Sequence, residues 1–151
     1  MFNKETEYAL RSLIYIKLQN IKDRRPGTVE ISREIEAPPF FTAKILQRLV
    51  RSGFLESLKG KNGGFYFDSG KPDLPLKTLI SATEGDRSFS GCGIGMKNCN
   101  SANPCPLHDR YAPIRTAIND LVSGETVQSL ADKVHSKEMN LKNLTNEPEK
   151  I

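Results

Sequence analysis

The sequence predicts a mainly helical fold with one small β-hairpin. Three observations carry that expectation. Apolar residues recur at helical spacing in separate stretches from residue 4 to residue 134. Two short alternating segments, 54–58 and 64–67, flank a Gly-rich turn containing Asn62-Gly63. A loop rich in Gly, Asn, Ser and Pro, from Ser90 to His108, interrupts the helical pattern and holds all three cysteines.

The first helix is expected over residues 4–19, with Ala9, Leu10, Leu13, Ile14 and Ile16 forming its apolar side. Asn3 is a suitable N-cap, and Glu5 and Glu7 lie where the helix dipole favours negative charge. Arg24-Arg25-Pro26-Gly27 reads as a turn. Thr28 is expected to cap a short second helix that turns Ile31 and Ile35 inward, and Pro38-Pro39 breaks it. A third helix follows from about Phe40 to Ser52, with Phe41, Ile45, Leu46 and Leu49 as its apolar stripe. Thr42, Lys44, Gln47, Arg48 and Arg51 face elsewhere, and Gly53 terminates the helix. The hairpin comes next, tipped by Lys59, Lys61, Asn62 and Gly63.

Helix, helix, turn, helix and a Lys/Gly-tipped hairpin make the pattern of a winged helix-turn-helix domain over residues 1–70. Residues 71–135 are expected to hold a short helix (76–84), the cysteine loop, a long helix from about Leu107 and a last helix capped by Thr126. Tyr111, Ile114, Ile118, Leu121 and Val122 give the long helix an apolar face that must pack on the chain's own core or on the same helix of a second copy, and a regulator reading a two-fold site favours the second copy. Residues 136–151 are polar and read as a flexible tail.

Charge points to a partner. The net charge is +4. Residues 39–64 hold five basic side chains against Glu56, so the excess sits on the third helix and the hairpin. Such a patch is an electrostatic footprint for phosphate. In a winged helix the third helix enters the major groove, which makes Thr42, Lys44, Gln47, Arg48 and Arg51 candidate base or backbone contacts. Lys59, Lys61, Asn62 and Gly63 would meet the backbone or the adjacent minor groove. The expected partner is double-stranded DNA, bound by a homodimer.

The cysteines are spaced C-x6-C-x5-C, as Cys92, Cys99 and Cys105, and His108 follows three residues later. Thiolates converging from a polar loop suit zinc or an iron–sulfur cluster. No apolar run approaches the roughly 20 residues that span a bilayer, and the first residues do not read as a signal peptide. A cytoplasmic, reducing setting is therefore expected, where metal ligation is commoner than a structural disulfide. No C-x-x-C and no strand-linked G-x-G-x-x-G is present, so an enzyme is not expected.

In three places the chain resembles the IscR/NsrR-type (Rrf family) winged-helix transcriptional regulators of bacteria. These are the opening helix around Thr6–Leu13, the wing Lys59-Gly-Lys-Asn-Gly-Gly-Phe-Tyr66, and the cysteine loop running into Cys105-Pro-Leu-His108. The resemblance covers about residues 1–134. It implies a homodimer with a [2Fe–2S] or [4Fe–4S] cluster on Cys92, Cys99 and Cys105, whose loss, oxidation or nitrosylation changes DNA affinity. His108, or Glu7 of the partner subunit, would supply the fourth ligand. The first cysteine gap is six residues where the family often has five. A DNA-binding regulator with a zinc site, thiol sensing or a small ligand is the alternative.

Overall fold

The computed structural model describes residues 1–136 and 139–142. In chain order the elements are α1 (Lys4–Ile21), α2 (Thr28–Glu34), α3 (Pro39–Arg51), β1 (Glu56–Leu58), β2 (Gly64–Tyr66), α4 (Leu76–Glu84), α5 (Arg87–Ser90), α6 (His108–Gly124) and α7 (Val127–His135). The fold is mainly helical with a two-stranded antiparallel wing, as expected. The four-residue α5 has no periodic signal in the sequence.

Local chemistry explains most helix ends. Asn3 accepts a hydrogen bond from the Thr6 amide at 2.8 Å, so α1 begins at its sequence-expected cap. Thr126 caps α7 through a reciprocal pair with Ser129, each bond 2.9 Å. Thr28 differs from expectation. Extended Gly27 takes the cap position without a side-chain bond, and Thr28 becomes the first helical residue. Pro39 opens α3 at a position where its missing N–H costs nothing. Gly53, at φ +77°, closes that helix, with the Phe54 amide returning to the Leu49 carbonyl at 3.0 Å.

One apolar cluster runs through both halves of the chain, and α1 is its axis. Ala9, Leu13 and Ile16 on α1 are fully buried, as are Ile31, Leu46, Leu79, Val122, Val127 and Ala131 from the helices around them. Burial of each of these Leu, Ile and Val side chains contributes about 1.5–3 kcal/mol. The α6–α7 turn is stitched to the segment before α4. There the Leu76 amide donates to the Glu125 carbonyl at 3.0 Å, and the Val127 amide donates to Leu74 at 2.9 Å.

The wing pairs Glu56 with Tyr66, Ser57 with Phe65 and Leu58 with Gly64. Its second strand is anchored to the body by Asn20, whose side chain donates to the Phe65 carbonyl at 3.2 Å and accepts from the Phe67 amide at 2.9 Å. Gly64 sits at φ +138°, and a Cβ there would lie 2.3 Å from the Arg25 carbonyl oxygen. Only glycine lets the strand come this close to the α1–α2 turn.

Most of the tail expected over residues 136–151 lies outside the described residues. Within it, Leu141 packs against the core and Lys142 pairs with Glu34.

Candidate cysteine centre and nucleic-acid interface

The loop between α5 and α6 is shaped by its own polar side chains. Asn100 accepts the Ala102 and Asn103 amides, each at 2.9 Å, and Asn103 donates to the Asn98 carbonyl at 3.0 Å. Asn residues fold loops in this way because the short amide mimics a backbone turn. The Gly95 amide returns to the Cys92 carbonyl at 3.0 Å with Gly95 at φ +81°. Arg115 on α6 donates to the Gly91 carbonyl at 3.0 Å, tying the loop to the long helix. Gly93 lies against the Tyr111 ring, where a Cβ would be 3.0 Å from the nearest ring carbon.

These turns bring the three cysteines together. Their sulfurs all lie within 4.8 Å of one another, and Cys92 Sγ is 3.6 Å from Cys105 Sγ. His108, the first residue of α6, is largely buried and places Nδ1 3.1 Å from Cys99 Sγ. The Cys105 amide points at Cys99 Sγ from 3.4 Å. A hydrogen bond from the Ile94 backbone, resisted by burial and helped by Met96 and the other two thiols, lowers the Cys92 thiol to about 7. The Cys99 thiol is raised. The Cys105 backbone pulls it down, but burial and the adjacent Cys105 and Cys92 outweigh that pull. The group therefore offers three soft donors around a single point, with the His108 imidazole beside Cys99.

Glu7 lies on α1, partly exposed, and pairs with Lys4 at 2.9 Å. The Lys4 hydrogen bond, joined by its charge, holds the Glu7 carboxyl below the usual range.

The candidate DNA-contacting residues divide into three groups. Lys44, Gln47 and Arg51 are exposed on α3, and Lys59, Lys61 and Asn62 are exposed at the wing tip, with Gly63 half-buried behind them. Thr42 points the other way. It is fully buried and its hydroxyl donates to the Pro38 carbonyl at 3.0 Å, so it is part of the packing under α3 rather than of its outer surface. Arg48 is a bridge. Its guanidinium pairs with Glu5 on α1 and donates to the Ala82 carbonyl on α4 at 2.7 Å.

Two surface features escaped the sequence reading. Phe41, expected inward, is 51 % exposed, and Phe40 is 71 % exposed. Arg25 stacks on the wing residue Tyr66, 4.8 Å from the ring centre, adding a cation beside Asn62 and Gly63. The sequence signal for Phe40 was available in its spacing to Lys44, Gln47 and Arg51. Arg25 became visible only once the strand had docked.

Comparison with known proteins agrees with this architecture. The family model described as Rrf2, iron-dependent transcriptional regulator, matches residues 2–133. The HTH-type transcriptional repressor NsrR of Streptomyces coelicolor is 27 % identical over 117 residues, 78 % of this chain and 74 % of its own. CymR, the global cysteine regulator of B. subtilis, superposes with a TM-score of 0.70 at 18 % identity, covering 87 % of this chain and 96 % of CymR. IscR of T. potens gives 0.68 at 13 % identity over 93 % and 92 % of the two chains. At these identities the two structures speak for the fold alone, while the family match spans nearly all of the described chain. The chain belongs to the Rrf2 family of transcriptional regulators.

Proposed function

We propose that this chain is a homodimeric regulator whose affinity for promoter DNA is controlled by an iron–sulfur cluster. The observation that carries the reading is the convergence of Cys92, Cys99 and Cys105 on one point. The cluster would be [2Fe–2S] or [4Fe–4S], with His108 or Glu7 of the partner subunit completing its ligands. The donor set fits: three thiols, one lowered to about 7, sit in a polar loop with room to adjust. When bound, the cluster supplies a centre sensitive to oxidation and nitric oxide.

The chain's own residues would carry the signal in two directions. Cys105 and His108 join the loop directly to the start of α6, and the His108 amide closes on the Cys105 carbonyl at 3.0 Å. Tyr111, Ile114, Ile118 and Leu121 recur along α6 at three- and four-residue intervals, the spacing of a helix-pairing seam. Ile114 and Leu121 are 55 % and 50 % exposed, which suits burial against a second copy. In the other direction, Arg48 connects the DNA-reading α3 to α4, the helix that leads through α5 into the loop. A loop held in one arrangement would fix both α6 and α4. The two α3 helices of a dimer must stand roughly 34 Å apart to enter successive major grooves. A change in loop order alters affinity only if the two states bind DNA differently.

In this scheme residues 1–70 read DNA, through Lys44, Gln47 and Arg51 on α3 and Lys59, Lys61, Asn62 and Gly63 on the wing. Residues 71–135 sense and dimerise. Thr42 and Arg48 position α3.

One observation favours a second reading. Metal–sulfur bonds of about 2.3 Å around a tetrahedral ion place ligand sulfurs about 3.8 Å apart, close to the spacing seen here. Cys92, Cys99, Cys105 and His108 would then hold a single zinc ion. An absorption spectrum with iron, sulfide and zinc analysis on protein purified without oxygen separates the two. Visible charge-transfer bands with matching iron and sulfide support the cluster. A colourless protein with one zinc per chain supports the second reading.

A further inference from the structure

We infer that Phe40 is a specificity residue that reads the C5-methyl group of thymine in the major groove. The inference rests on the DNA-binding reading above. It starts from the geometry of α3. At about 100° per residue, Phe40, Lys44, Gln47 and Arg51 fall within an arc of roughly 60°. Thr42, Ile45, Leu46 and Leu49 occupy the opposite arc and are buried. Phe40 therefore lies in the middle of the polar, cationic stripe and not on the helix's apolar side.

An aromatic ring 71 % exposed on that stripe has no partner in the core. Lys44 lies over it, 4.5 Å from the ring centre, and engages the π-face while most of the ring stays open. Phe40 is also in the first turn of α3. Residues at the start of a reading helix are the ones that reach base edges. Among the groups displayed in the major groove, the thymine methyl is the apolar one, and Phe is one of the side chains that pack on it. The cations beside Phe40 say which partner covers the ring. Lys44, Arg51, Lys59 and Lys61 make this face attractive to a polyanion. A second copy of the chain would bring the same charges against them.

The test uses the full-length wild-type protein, metal-loaded and apo, to enrich duplexes from a random DNA pool. Each thymine of the enriched duplex is then replaced singly by deoxyuridine, which removes only the methyl group. Wild type should lose about four-fold in affinity at one or two positions in each half-site. Phe40→Ala should bind the thymine and deoxyuridine duplexes equally, and Phe40→Leu should keep part of the preference. Phe40 packs on nothing in the core, so Phe40→Ala should melt with wild type, and circular dichroism checks that. Deoxyuridine sensitivity that is absent in wild type, or equal in wild type and Phe40→Ala, overturns the inference while DNA reading stands. So does a shift in sedimentation caused by Phe40→Ala with no change in deoxyuridine sensitivity, which would put a second copy on the ring. A wild-type protein that enriches no duplex in either state overturns the DNA reading itself.

Discussion

The reading head and the cysteine loop are built on opposite principles. In the head, Leu13, Ile31, Leu46 and Leu55 are sealed from solvent at 1 % exposure or less. In the loop, residues 93–98 are all exposed, and its order comes from Asn and Gly turns and from thiols facing one another. Apolar burial holds a structure whatever is bound to it. A loop of short-range polar bonds is close to neutral in stability, so a ligand on its sulfurs can change its order at low cost. The contrast teaches that the winged-helix part and the cysteine loop draw on different sources of stability. Arg48 and α6 are the physical links between them.

The comparison can be broken or sharpened by substitution, starting with the largest expected effect. Leu46→Ala should destabilise the fold by about 2–5 kcal/mol, read as a lower urea midpoint. An effect under about 1 kcal/mol would show that the head is looser than its burial suggests. Tyr15→Phe should cost about 1 kcal/mol at pH 7, because the phenol donates to Glu30 at 2.7 Å. Tyr15 is pushed up to about 12 by burial first, then by that hydrogen bond and the Glu30 charge. A raised pKa means that the stability is fully present below the unfolded value of about 10 and is lost as pH rises toward about 12. Urea melts at pH 7 and pH 11 should therefore show wild type falling more steeply than Tyr15→Phe.

Cys99→Ala should leave the apo fold within about 0.5 kcal/mol of wild type while abolishing iron retention and the visible spectrum. If the apo protein lost several kcal/mol, the loop would belong to the core and the contrast would fail. Lys61→Ala should leave stability unchanged and reduce the slope of log affinity against log salt by about one, measured on an enriched duplex. An unchanged slope would remove the wing tip from the phosphate contacts.

Much of this was legible in the sequence, for identifiable reasons. The α1 cap at Asn3, the closure of α3 at Gly53, the span of α4 and the cap of α7 at Thr126 follow from local bonds between residues a few positions apart. The convergence of the three cysteines could be anticipated because a polar loop with no packing of its own can wrap around a point. What was not legible was the edge of the buried arc of α3: Ile45, Leu46 and Leu49 are buried as expected, but Phe41 is not. Helical periodicity ranks residues by face. Phe41 lies about 100° from Thr42 on the wheel, and packing against α1 and α2 buried the small threonine and left the large ring outside. The short α5 carries no periodic pattern in its four residues.

By itself, then, the chain's order of residues determined the helices, the wing, the basic window and the cysteine spacing, since each is set by interactions local in sequence. Tertiary structure alone decided that Arg48 ties α3 to a carbonyl 34 residues away and that Asn20 anchors a strand 45 residues away. It also decided that the Phe40 ring stays open, with Lys44 over it. Those outcomes depend on how α1 collects the other helices around it. Burial of apolar surface acts without regard to separation along the chain, and no local rule encodes it.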